Sequence, residues 1–349
     1  MSTNIRSEGR AGRITLARPK ALNALTLEMI RAMDAALREW ADDDAVALVV
    51  IDGEGERAFC AGGDIAFVYR TAREGDFDAG RTFWREEYAV DTRIARFPKP
   101  VVTLMQGYTM GGGVGIGGHA SHRIVGATSR VAMPECAIGL VPDVGGTHLL
   151  AQAPGHLGEY LGLTGHRMTP GEAILAGFAD YYIAEERWPE LVAAAVETGD
   201  ADIFAAAAEP PPPAELAEHR DAIDAAFAQE DVPAIRAALP DTPWGRATAE
   251  LLDRQCALSL AATLRLIREA RAEPGIEKAV TREFRFSWRS CSEGEHIEGV
   301  RAAVIDKDRN PRWQDDLLSL EPARVDAMLA PLGDDELELP DLPRAGAAR

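Results

Sequence analysis

The chain has 349 residues, 46% of them hydrophobic and 27% charged, enough to bury a sizeable core in one large domain or two moderate ones. A net charge of -19 and a pI of about 4.8 argue against nucleic acid or an anionic membrane as partner, and no eighteen-residue apolar run offers a membrane span. Four widely spaced cysteines without a C-x-x-C pair, and no basic N-terminus leading into an apolar stretch, predict a reduced, cytoplasmic protein.

Residues 13–16 predict a first strand, followed by the turn-forming Arg18-Pro19-Lys20. Thr26 caps a predicted helix whose apolar residues Met29, Ile30, Met33, Leu37 and Trp40 recur every three or four positions, and Asp42-Asp43-Asp44 ends it. The short apolar run at 47–51 reads as a buried parallel strand. Helix is expected after Asp64 as far as Phe97, with Pro98 and Pro100 breaking it before a strand at 101–104. The glycine cluster at 111–118 leads into a strand at 123–125. Short helices then fill 146–182, one of them opened by Thr169-Pro170-Gly171-Glu172 as threonine cap, proline at the first position and returning glutamate.

Strand-loop-helix units therefore fill residues 1–190 and predict an α/β catalytic core with parallel sheet. Residues 191–349 are rich in alanine and glutamate and predict an α-helical C-terminal region. Its joint is expected at Pro210-Pro211-Pro212-Pro213, one long helix at 248–270, and a loosely held acidic segment at 334–338.

Two glycine turns, Ala61-Gly62-Gly63-Asp64 and Met110-Gly111-Gly112-Gly113, each follow a predicted strand. Unobstructed N-H groups at strand ends can stabilise an oxyanion, although glycines also serve tight turns and close packing. Neither turn is a G-x-x-x-x-G-K-[ST] phosphate loop, and no G-x-G-x-x-G opens the first strand-helix unit, so nucleotide chemistry is not expected. Glu135 and Asp143 are the second signal: two acids eight residues apart, each directly after a proline, in an apolar, glycine-rich stretch. Acids brought together in such a pocket form an acid/base pair, while the competing explanation is that each caps a helix. His119 and His122 lack a third metal ligand, no G-x-S-x-G is present, and Cys60 and Cys136 lack a histidine partner, so no metal site and no serine or cysteine nucleophile is expected.

The segments at 17–25, 58–65, 107–115 and 133–135, in that order, resemble the signatures of the enoyl-CoA hydratase/isomerase, or crotonase, superfamily. The resemblance implies a crotonase-like spiral of ββα units and an acyl-CoA substrate, with coenzyme A as part of that substrate and no separate cofactor. It also implies an oxyanion hole from the N-H groups of Gly63 and Gly112, a coenzyme-binding surface from Lys20, Ala21, Leu22, Ala61, Asp64 and Ile65, and a possible homo-oligomer. Hydratases of the family carry a glutamate where this chain has Gly115, and glycine where it has Asp143. That departure, with Phe83-Trp84-Arg85-Glu86-Glu87-Tyr88 and the stretch at 298–313, is similar to the 3-hydroxyisobutyryl-CoA hydrolases of valine catabolism, whose catalytic pair would be Glu135 and Asp143. An isomerase or hydratase of the same superfamily, and a non-catalytic acyl-CoA-binding protein, are the alternatives.

Overall fold

The computed structural model describes residues 2–340. β1 (Thr3–Glu8) and β2 (Ala11–Leu16) pair antiparallel, and β2 pairs in parallel with β3 (Leu48–Gly53). The sheet continues in parallel through β5 (Val101–Leu104), β7 (His122–Val125) and β9 (Tyr181–Tyr182). A second, wholly parallel sheet is formed by β4 (Ala58–Cys60), β6 (Tyr108–Met110) and β8 (Arg130–Ala132). The chain thus gives one strand to the large sheet, the next to the small one, and crosses back. β4, β6 and β8, three residues each, are too short to leave a period in the sequence, and the mostly polar β1 has no apolar face to betray it.

The crossovers are α1 (Leu27–Asp42), then α2 (Ile65–Arg73) and α3 (Asp78–Ala95), then α4 (Gly112–Gly118). Thr26 caps α1 by accepting the Met29 N-H at 3.3 Å. The single helix expected at 65–97 is two, because the chain turns at Gly75, where φ is 86°. After β8 come α5 (Gly146–Gln152), α6 (Leu157–Thr164) and α7 (Pro170–Leu175), and Glu172 returns its bond to the Thr169 N-H at 2.9 Å.

Beyond β9 the described chain is helical: α8 (Trp188–Thr198) and α9 (Asp202–Ala206), then, past the four prolines, α10 (Arg220–Phe227), α11 (Val232–Ala238), α12 (Pro243–Arg254), α13 (Ala257–Ala272), α14 (Ile276–Ser290), α15 (His296–Val300) and α16 (Pro322–Leu329). Residues 341–349 of the predicted helical region lie outside the described residues. The long helix expected at 248–270 is split between α12 and α13, since Cys256 is extended and gives its N-H to Cys136 O at 3.0 Å. The acidic segment near 336 is docked rather than loose: Glu336 pairs with Arg285 at 2.9 Å, Arg85 reaches the Glu336 and Asp335 carbonyls, and Leu337 is buried.

Alternation along β3 shows how the core is divided. Val49 and Ile51 face the main core with α1, α3, α5, α6, α13 and α14, whereas Leu48 and Val50 face α8 and α9. With both faces covered, the strand reads as an unbroken apolar run. α13 packs on α5 and α6, and α14 on α3 and α5, so the C-terminal helices roof the segments that follow the small sheet's strands.

Candidate active site

β4 and β6 are parallel neighbours, so the glycine turns at their ends lie side by side. Gly62 and Gly111 bend them with φ of 108° and 50°, conformations that L side chains rarely take. A Cβ built on Gly112 would stand 3.3 Å from the Gly63 nitrogen, and one on Gly62 3.8 Å from the Gly112 nitrogen. Among the described residues neither the Gly63 nor the Gly112 N-H finds a backbone acceptor. Two free donors this close can serve one oxygen atom.

Glu135 follows β8 and opens a 3-10 turn, Glu135–Ile138, which closes at Gly139 with φ 72°. Asp143 stands just before Val144 and Gly145, both left-handed, which swing the chain into α5. Each acid is only 4% exposed. Neither caps a helix, which removes the competing explanation for their proline-led spacing. Glu135 Oε1 lies 2.7 Å from where a Cβ on Gly111 would be, against the second glycine turn, and its Oε2 has no partner among the described residues. Asp143 accepts the Tyr88 hydroxyl proton at 2.7 Å, and Ser287 supports that hydroxyl at 2.8 Å.

Three acids that the sequence reading did not single out join this pair. Glu87 and Asp91 project from α3 and Glu283 from α14, all buried. A Cβ on Gly112 would run into Glu87 Oε1, so Glu87 stands at the paired N-H groups. Asp91 lies against Gly115, on which Val144 also closes. Glu283 accepts the N-H groups of Gly145 at 2.8 Å and Thr147 at 3.0 Å, and the Thr147 hydroxyl, bracing the turn after Asp143. A signal was present for the first two: they are four apart on the helix face that carries Phe83, Trp84, Tyr88 and Ile94, where an acid is out of place.

Among the described residues none of the five acids makes an ion pair, and burial makes each harder to ionise than usual. Burial, followed by the charge of Asp143, holds the Glu135 and Glu87 carboxyls well above the ordinary range. Burial and then Glu87 do the same to Asp91. Burial raises Glu283 to about 8 against the opposing bond from Thr147, and Asp143 to about 6 against the bond from Tyr88. Asp143 is thus the acid that charges most readily.

The C-terminal helices hold the Glu135 turn in place. His296 donates from Nδ1 to Ile138 O at 2.9 Å, a bond kept in the neutral ring because burial lowers its pKa to about 4. Gly299 lies so close to Ile138 that a side chain there would strike it. His119, which ends α4, bonds Val144 O at 2.8 Å, while His122 lies on β7, so the two share no helix face. Among the described residues no three potential ligands gather for a metal. Cys60 and Cys136 are buried with their thiols pushed up by burial, which suits packing rather than nucleophilic attack.

Lys20, Ala21 and Leu22 are brought beside Ala61, Asp64 and Ile65. The Ala61 N-H donates to Leu22 O at 3.0 Å, Arg18 pairs with Asp64 at 3.2 Å, and buried Asn23 ties the loop to the carbonyls of Glu54 and Ala58. Lys20 and Ala21 are exposed and the other four half-buried, forming a surface that adjoins the first glycine turn. The larger cavities, of about 740 Å³ beside β1 and about 630 Å³ between α11 and α13, include neither Glu135 nor Asp143. The five carboxyl groups lie among buried side chains.

Residues 11–329 match the family described as enoyl-CoA hydratase/isomerase. The chain is 39% identical to a protein of Xenopus tropicalis named 3-hydroxyisobutyryl-CoA hydrolase, mitochondrial, over 95% of this chain and 89% of that one. A human protein of the same name is 36% identical over 89% and 83%, and 3-hydroxyisobutyryl-CoA hydrolase 1 of Arabidopsis thaliana is 34% identical over 96% and 94%. Among solved structures, an enoyl-CoA hydratase from Rhodobacter sphaeroides 2.4.1 is 52% identical with a TM-score of 0.92, covering 97% of this chain and all of that one. A carnitinyl-CoA dehydratase from Mycobacterium thermoresistibile is 39% identical with the same TM-score, covering 97% and 98%. These likenesses bear out the crotonase-like fold expected from the sequence. Among the described residues no helix is long and apolar enough to cross a membrane.

Proposed function

The chain belongs to the enoyl-CoA hydratase/isomerase family, and within it we propose that it hydrolyses the thioester of a short 3-hydroxyacyl-CoA, 3-hydroxyisobutyryl-CoA first among them, in valine catabolism. The observation that carries this reading is the buried pair Glu135 and Asp143 beside the free N-H groups of Gly63 and Gly112, with only a hydrogen at Gly115. The names of the relatives from frog, human and plant support it.

In the proposed mechanism the thioester oxygen accepts hydrogen bonds from Gly63 and Gly112, beside a neutral Glu87. Glu135 and Asp143 share one negative charge, which rests on Asp143 in the free site; the Glu135 proton passes to Asp143 when substrate and water are in place, leaving Glu135 as the base. Water attacks the carbonyl carbon as Glu135 takes its proton, and the carbonyl electron pair moves onto the held oxygen. When that oxygen re-forms its double bond the C-S bond breaks, and the departing coenzyme A sulfur takes the proton from Glu135. Direct attack by Glu135, forming a mixed anhydride that water then opens, is the alternative route for the same residue.

The coenzyme is assigned to Lys20, Ala21, Leu22, Ala61, Asp64 and Ile65, with no further cofactor. The four cysteines are unpaired, which supports a reducing compartment, and we keep the cytoplasmic assignment on that ground. A homo-oligomer is part of the same family-based reading.

The second reading, a hydratase or dehydratase, rests on the names of the two solved structures of like fold. A thiol-release assay with 3-hydroxyisobutyryl-CoA, 3-hydroxypropionyl-CoA and crotonyl-CoA separates them. Thiol released from the first two is the expected result. Intact thioester with a changed enoyl absorbance would overturn it.

A further inference from the structure

Two segments, α3 and the Glu135 turn, lay three carboxyl groups against the glycines that open α4. Glu135 reaches Gly111, Glu87 reaches Gly112, and Asp91 Oδ1 lies 2.7 Å from where a Cβ on Gly115 would be. Neighbours account for part of this cluster: Tyr88 holds Asp143, and Gly145 and Thr147 hold Glu283. Asp91 is different. It is 0% exposed, and among the described residues both of its oxygens lack a hydrogen-bond partner, where Glu87 and Glu135 each leave one buried oxygen unpartnered. A buried carboxyl left unpaired costs free energy that a well-packed apolar side chain would avoid, so its presence calls for a polar group brought in from outside.

Its position selects that group. Glu87 and Asp91 are one helical turn apart on α3, and they face Gly112 and Gly115, nearly one turn apart on α4. Those two glycines are separated by about 4.5 Å along the axis. A thioester oxygen held at the Gly112 N-H therefore has Asp91 roughly one turn further on, in the direction of Val144 and Asp143, which suits a hydroxyl two carbons beyond the carbonyl.

We infer that Asp91 is a specificity-determining residue that holds the 3-hydroxyl of the acyl group, an inference that rests on the 3-hydroxyacyl thioesterase reading above. A hydroxyl both donates and accepts, so it satisfies the carboxyl in either protonation state. Asp143 remains free to hold the proton of the Glu135 pair. An acyl group without the hydroxyl leaves Asp91 buried and unpaired, so the site disfavours it by more than shape alone would.

The test is the ratio of kcat/KM for 3-hydroxyisobutyryl-CoA to that for isobutyryl-CoA, measured by thiol release on the wild type and on Asp91→Asn, Asp91→Ala and Asp91→Leu. Folding is checked by circular dichroism and Tm. The wild type should favour the hydroxylated substrate, the two apolar variants should lose at least about tenfold of that ratio, and Asp91→Asn, which still donates and accepts, should keep it within about threefold. A wild type that treats both substrates alike, a folded apolar variant that keeps the ratio, or equal losses on both substrates in all three variants would overturn the inference. Absence of thiol release from either substrate by the wild type would instead sink the thioesterase reading itself.

Discussion

Tyr88 donates a 2.7 Å hydrogen bond to Asp143 from the same helix that carries Glu87 and Asp91. This bond favours the charged form of Asp143 and opposes the burial that raises its pKa to about 6. Removing the hydroxyl in Tyr88→Phe leaves burial less opposed, so the Asp143 pKa rises further. If the pair must carry one charge to act, activity appears as pH increases through the lower apparent pKa, and that acidic limb should move upward by about one unit in the variant. A pH profile of kcat/KM checks this. A limb that stays put, or moves down, would detach Asp143 from the proton chemistry.

Glu135→Gln keeps the size of the side chain and takes away the base. Thiol release should fall roughly a hundred- to ten-thousandfold in kcat. Tm should change little, because the wild-type carboxyl is held neutral in the resting protein and Gln replaces one neutral group with another. Turnover within about threefold of wild type would remove Glu135 from the mechanism.

Glu283 links stability to the turn after Asp143. Glu283→Ala strips the acceptor from two buried N-H groups and a hydroxyl, and should destabilise the fold by about 2–5 kcal/mol, read by denaturant titration. The pH dependence gives an independent check. A folded pKa of about 8 lies above the ordinary glutamate value, so between them the folded chain binds more protons than the unfolded one. Its contribution is full at pH below about 4.3 and is lost as pH rises through about 8. In Glu283→Gln that component of the slope should vanish. An unchanged slope would mean that Glu283 is already ionised in the folded protein.

Much of this site could be read from residues whose local surroundings are unusual for their type. Two glycine turns after apolar runs, and two acids directly after prolines, stood out because neither belongs to an ordinary strand or helix. Glu87 and Asp91 were hidden inside Arg85-Glu86-Glu87-Tyr88-Ala89-Val90-Asp91, where acids on an amphipathic helix read as solvated unless the apolar face is counted residue by residue. Glu283 and His296 could not be found that way, because each acts on a segment more than one hundred residues earlier and only tertiary packing joins them. The fold followed the same rule. Runs buried on both faces announced β3 and β5, while the three-residue strands of the small sheet are held by register with their neighbours and have no pattern of their own.

The contact between Gly115 and Asp91 yields a test of packing. A Cβ on Gly115 would stand 2.7 Å from Asp91 Oδ1, 2.8 Å from its Cγ and 2.8 Å from Val144 Cβ, so even Gly115→Ala overfills the space. Asp91 sits on α3 and Val144 is in a left-handed turn, so a methyl group at 115 forces one of them to shift. Gly115→Ala should therefore cost about 1–3 kcal/mol. Asp91→Ala removes one of the two obstructing side chains, so the double variant should be more stable than the sum of the single losses predicts, by about 0.5–2 kcal/mol. Denaturant unfolding of the four proteins gives this coupling directly. Strict additivity would show that Asp91 is not what fills the place of a side chain at 115.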